Sequence, residues 1–147
     1  QGKRGQVALI DISVISASGQ IASVFEAEDN APIQKIERIR HADGEPTQYE
    51  VSFIPWQIAP GITKEQAEHS LFRTLAEVHD VHVAKTTEAL EIALADEKVS
   101  ALLDCPLGSP CFHIETVTED ESGRAIEYSR SYFRGDKTSF VIERDYN

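Results

Sequence analysis

Apolar and polar positions alternate most strictly between Ile33 and Pro55, IQKIERIRHADGEPTQYEVSFIP. Side chains point to opposite faces along a strand, so this pattern predicts two strands. On the first, Ile33, Lys35, Glu37, Ile39 and His41 share a face; Gln34, Ile36, Arg38, Arg40 and Ala42 share the other. Asp43-Gly44 predicts a tight hairpin turn, because such turns need positive φ. On the return strand Gln48, Glu50, Ser52 and Ile54 oppose Tyr49, Val51 and Phe53. Arg38 and Arg40 thus leave one face ~7 Å apart. Two guanidinium groups so placed repel unless a carboxylate of the protein or an anionic ligand sits beside them.

The same reading extends along the chain. Val7 to Ile15 and Ile21 to Ala27 predict strands, separated by Ser16–Gly19. Glu28–Pro32 is a polar loop, and Pro55 and Pro60-Gly61 bound a loop holding Trp56. Thr63-Lys-Glu-Gln66 is a capping box opening a helical zone. Ser70 is a second start, followed by Leu71, Leu75 and Val78 at helical spacing, flanked by Phe72 and Ala76. Val81 to Ala93 predicts a long strand. Asp96 caps a short helix, 97–103, with Val99, Leu102 and Leu103 inward. Cys111 to Glu119 and Ala125 to Arg134 form a second hairpin about Asp120–Arg124, and Thr138 to Asp145 a last strand.

The second hairpin echoes the first. Ile36-Glu37 matches Ile114-Glu115, Gly44 matches Gly123, Tyr49 matches Tyr128 and Ser52 matches Ser131. Each hairpin follows an earlier strand, which predicts a duplicated unit forming one antiparallel sheet, with a ligand cleft between the copies. The copies differ where Arg38, Arg40 and Glu50 face Thr116, Thr118 and Ser129.

Composition narrows the class. The 147 residues suffice for one domain. A net charge of −11 disfavours direct binding of nucleic-acid phosphates. No apolar run reaches the ~20 residues of a membrane span, and no secretory signal is evident, so a cytoplasmic location is expected. Cys105 and Cys111 flank a Pro-Leu-Gly-Ser-Pro turn and are expected as free thiols. The five histidines are scattered without metal-binding spacing, so no metal or cofactor is expected. The chain has no Met. Residues 1–6 read as a linker remnant and 7–147 as the domain, with an adjoining segment expected before Gln1.

The motifs IERIRHADGEP, HSLFRTL, ALLDCPLGSPCFHIE and GRAIEYSRSYFRGD resemble, in order, the UTRA effector-binding domain of HutC-type GntR transcriptional regulators. The resemblance spans about residues 7–146. It implies an α+β, chorismate lyase-like fold, with a six-stranded antiparallel sheet and helices packed on one face. It further implies a homodimer, and DNA contact only through an N-terminal winged helix-turn-helix that this chain lacks. The family's paired arginines, which hold a ligand's phosphate or carboxylate, fall on Arg38 and Arg40. Its return-strand acid falls on Glu50, its helix-opening serine and following aromatic on Ser70 and Phe72, and the last hairpin's acid and aromatic on Glu127 and Tyr132. One departure is expected: the family's short helix before the first hairpin shrinks to 28–33.

Each assignment competes with a plainer one. The arginines could merely pair with Glu37, Glu50 or Glu127; Ser70 could be a simple N-cap; Phe72 and Tyr132 could be core aromatics. Arg130 offers a third positive group. The reading adopted is an effector sensor, not an enzyme, binding a small anionic metabolite such as a phosphorylated or carboxylated sugar or amino-acid derivative. Its competitors are a chorismate lyase-like enzyme using an Arg/Glu pair, and a dimerisation module without a ligand.

Overall fold

The computed structural model describes residues 5–146. Six strands form one antiparallel sheet: β1 (Gly5–Ser16), β2 (Pro32–Ala42), β3 (Glu45–Pro55), β4 (Lys85–Leu94), β5 (Pro110–Glu119) and β6 (Ala125–Arg134), in the order β1-β2-β3-β6-β5-β4. Four helices accompany them: α1 (Gly19–Phe25), α2 (Lys64–Ala67), α3 (Leu71–His79) and α4 (Glu97–Leu103). The expected Asp43-Gly44 turn is present, with both residues at positive φ (53° and 80°), as a two-residue hairpin with the sheet's twist requires. Of residues 1–6, expected as a linker remnant, Gly5 and Gln6 already belong to β1, and residues 1–4 lie outside the described residues.

The duplication is more complete than the sequence suggests. Strand, helix and hairpin recur as β1-α1-β2-β3 and β4-α4-β5-β6, with β3 and β6 paired at the centre. Residues 21–27, expected as a strand, are mostly helix α1. Ile21, Val24 and Phe25 fall at helical spacing and pack with Ile33, Phe53 and Tyr128. The chain leaves α1 through Glu26 in the left-handed region. The short helix before the first hairpin is therefore present, not lost into 28–33.

The helices divide between the two faces rather than sharing one. On the front face, α2 and α3 cover Ile36 and Ile54 with Ala67, Leu71 and Leu75. On the rear face, α1 covers Phe53 and Tyr128, and α4 covers Tyr49 through Val99 and Leu103. Caps fix the helix starts: Thr63 and Gln66 form the reciprocal box, Ser70 Oγ accepts from the Arg73 amide, and Asp96 accepts from the Val99 amide. Phe72 and Val78 stay exposed on α3; Thr74 takes the buried place between Leu71 and Leu75.

Residues 81–84 precede β4 instead of belonging to it, and residues 138–145 form no strand. A strand needs a ladder to satisfy its amides, and the tail joins none in the six-stranded sheet. It docks through Phe140, whose ring meets Phe112 and Phe133 edge-on at 5.0 and 5.9 Å on the front face.

Candidate functional site

The front face holds a cavity of about 520 Å³ between the two hairpins, β4 and the start of α3. Arg38, Arg40 and Glu50 enter it from the first copy; Thr116, Glu127 and Ser129 enter from the second. His69, Ser70 and Phe72 close it from the α2–α3 turn, and Thr86 and Glu88 from β4. Register explains this convergence. Arg38 lies opposite Glu50, Glu50 opposite Ser131, Thr116 opposite Ser129, and Glu88 opposite Thr116, so their side chains share one face.

The two arginines are not equivalent. Arg38 is buried, forms an ion pair with Glu50, and donates from Nη1 to the Ala67 carbonyl at 3.2 Å. Its Nε is buried with no hydrogen-bond partner among the described residues. Arg40 sits nearer the cavity mouth, half-buried. Its guanidinium makes no hydrogen bond or ion pair among the described residues; only its backbone carbonyl accepts, from Thr47 Oγ1. Protein carboxylate thus answers one cation and leaves the other unanswered.

Glu127 forms the floor. It is 3% exposed and accepts from Thr118 Oγ1 at 2.8 Å. Burial pushes its pKa up to about 7, and the nearby Glu50 carboxylate adds to that, against the Thr118 hydrogen bond and the Arg38 charge. The floor can therefore act as a hydrogen-bond donor or acceptor near neutral pH.

Six of the eight predicted ligand-binding positions meet in this cavity: Arg38, Arg40, Glu50, Ser70, Phe72 and Glu127. Arg130 and Tyr132 do not. They lie on the rear face, beside Lys35, Tyr49 and Lys98, in a separate cavity of about 200 Å³. Strand parity alone separates them, since residues 127 and 132 cannot share a face of a regular strand. Arg130 stacks over Phe53 and Tyr128, with Cζ 5.8 and 5.4 Å from the ring centroids. Tyr132 stacks between Tyr49 and His113. Thr116 and Ser129 were legible as the repeat counterparts of Arg38 and Glu50. Thr86 and Glu88 were not, because only the β4–β5 register brings them in. Another cavity of about 500 Å³ lies between the α1–β2 loop and Arg124, but it sets one cation against Glu26 and Glu28.

The arrangement is a polar cleft between the duplicated halves of an antiparallel α+β sheet, and comparison with known proteins gives its class. The sequence matches the family described as UTRA domain over residues 1–139, and the chain belongs to that family. It is 26% identical over 137 residues to the HTH-type transcriptional repressor NagR of Bacillus subtilis, covering 93% of this chain and 56% of that protein. It is 31% identical over 145 residues to the HTH-type transcriptional repressor PhnF of Mycolicibacterium smegmatis, covering 96% and 58%. The chain thus spans somewhat over half the length of these relatives. The solved effector domain of PhnF from Mycobacterium smegmatis superposes with a TM-score of 0.91 at 27% identity, covering 98% of this chain and 89% of that one. This is the effector-binding domain found in GntR-family regulators.

Proposed function

We propose that this domain senses a small anionic metabolite in the front-face cavity, and that binding biases a DNA-reading domain of the whole regulator. The observation that carries this is the unanswered Arg40 guanidinium, facing a cavity lined by hydroxyls and beside the amide-rich start of α3. A phosphate or carboxylate meets Arg40 and the Ser70 region; hydroxyls or an amine of the same ligand meet Glu50, Glu88 and Glu127. NagR and PhnF are named as repressors, which supports a regulatory role over an enzymatic one. No helix among the described residues is long and apolar enough to cross a membrane, in keeping with a cytoplasmic regulator.

The signal needs a ligand that prefers one conformation, since equal affinity for both states shifts nothing. A second copy of the chain provides the element to be biased. Leu90, Ile92 and Leu94 of β4 and Val141 and Ile142 of the tail are exposed, and β4 is an unpaired edge. An exposed apolar face on an edge strand suits a homodimer interface, and on β4 it adjoins Thr86 and Glu88 of the cavity.

Thermal-shift screening against phosphorylated sugars, sugar acids and amino-acid derivatives tests the reading. At least one class should raise the Tm of the wild-type domain and not that of Arg40→Ala. A silent screen over all three classes, or equal shifts in both proteins, rejects it. Sedimentation analysis should show a dimer that Ile92→Glu dissociates.

A further inference from the structure

The duplication also exposes a rear-face difference that the effector cavity does not explain. In the first copy Ser13, Lys35 and Glu37 are neighbours: Ser13 lies opposite Lys35 across β1–β2, and Glu37 is two residues on. In the second copy the register-equivalent positions are Glu91, His113 and Glu115. Each copy keeps the same tyrosine on its glutamate. Tyr49 Oη donates to Glu37 Oε1 at 2.5 Å, and Tyr128 Oη donates to Glu115 Oε1 at 2.8 Å.

The charge balance does not survive the copying. Glu37 receives Lys98 Nζ of α4 at 2.8 Å and has Lys35 nearby. Beyond Tyr128, Glu115 receives the neutral Gln20 Nε2 of α1, at 3.4 Å, in place of a cation. Lysine has become His113, serine has become Glu91, and the helix cation has become an amide. Arg130, opposite Glu115 in register, makes no salt bridge with it; its Nε donates to Tyr128 Oη at 3.1 Å. Glu91 and Glu115 thus have no cation bonded to them among the described residues.

These three side chains converge. One ligand atom from each of Glu91, His113 and Glu115 lies within 4.8 Å of the others. His113 is 9% exposed, and its Nε2 is buried without a hydrogen-bond partner among the described residues. Its ring is held by stacking on Tyr132 at 4.5 Å. One imidazole and two carboxylates suit a borderline divalent ion, with one position open to water. The Tyr128 and Gln20 bonds to Glu115 act as the outer contacts that orient a ligating carboxylate.

We propose that Glu91, His113 and Glu115 form a binding site for a divalent first-row transition ion, with zinc the best match. The ion takes the part that Lys35 and Lys98 play around Glu37, and ties the edge strand β4 to β5. The site lies on the face opposite the effector cavity and the apolar β4 surface, so neither an effector nor the proposed dimer covers it.

Isothermal titration of chelator-stripped protein with ZnCl₂ tests this. The wild type should bind one zinc per chain. Glu91→Gln, on an exposed strand, should keep the fold and weaken binding by about tenfold or more, since loss of outer contacts alone costs that much. His113→Phe, which retains the Tyr132 stack, should abolish it. Co²⁺ loaded into the wild type should show the intense visible bands of a tetrahedral site, absent in Glu91→Gln. His82→Ala, at the exposed Asp80–His82 pair, should change nothing. Absence of a stoichiometric site in the wild type overturns the proposal. So does binding that persists unchanged in Glu91→Gln, or that is lost in His82→Ala instead.

Discussion

The two halves of this domain share a scaffold and differ in their charges, and the differences fall at two places on opposite faces. On the front, Arg38, Arg40 and Glu50 stand where the second copy has Thr116, Thr118 and Ser129. On the rear, Lys35 and Ser13 stand where the second copy has His113 and Glu91. What stays constant is structural: glycine at each turn, and a tyrosine bonded to a glutamate in each half. Duplication supplied two equal cradles, and charge substitution made each cradle polar in its own way.

Substitutions at matched positions can break or sharpen this comparison. The largest contrast should come from Arg38→Ala against Thr116→Ala. The first strands Glu50 beside Glu127 without its cation, which should cost about 3–5 kcal/mol; the second should stay within about 0.5–1 kcal/mol. Urea denaturation of both measures the difference. Equal losses would mean that the copies do not divide the work as their charges suggest.

Next is Glu127, which has no charged repeat counterpart paired in the same way. Its pKa is raised in the fold, so the folded state binds the extra proton. The stabilisation is full below the ordinary carboxylate range near 4.5 and is lost as pH rises through about 7. Glu127→Gln should therefore gain stability over the wild type above pH 7, on the order of 3 kcal/mol when fully developed. The gain should fade towards pH 5. Denaturation midpoints at pH 5 and pH 8.5 check the sign; a gain largest at pH 5 contradicts it.

Tyr49→Phe and Tyr128→Phe probe what the copies share. Each removes one hydroxyl donor from a glutamate while keeping a stacked ring. Both should cost about 1.5–3 kcal/mol, and by similar amounts. A loss confined to one would show that the repeated pair is structural in only one half. Smallest is the Ser70→Ala cap, at about 1 kcal/mol by thermal unfolding. If Ser70 also meets the effector, the same variant weakens effector binding beyond what its Tm implies.

Much of this was readable in advance. Period-two alternation placed both faces of the first hairpin, because a strand allows only two orientations. Caps at Thr63, Ser70 and Asp96 marked helix starts, since a local hydroxyl or carboxylate meets a local amide. Residues 21–27 misled because a seven-residue segment, IASVFEA, carries too few turns to declare its period. Tyr132 was placed by likeness to a family and Arg130 as a third positive group, neither by parity, and parity sends both to the rear face.

By itself, then, the sequence determined the alternation, the turns, the caps and the repeat, all properties of neighbours a few residues apart. Tertiary structure alone decided that α1 is a helix buried against Phe53 and Tyr128. It decided that Thr86 and Glu88 line the same cavity as Arg40, and that Arg38 is already neutralised while Arg40 is not. Those facts depend on strand order, register and helix packing, which bring together residues with no local relation.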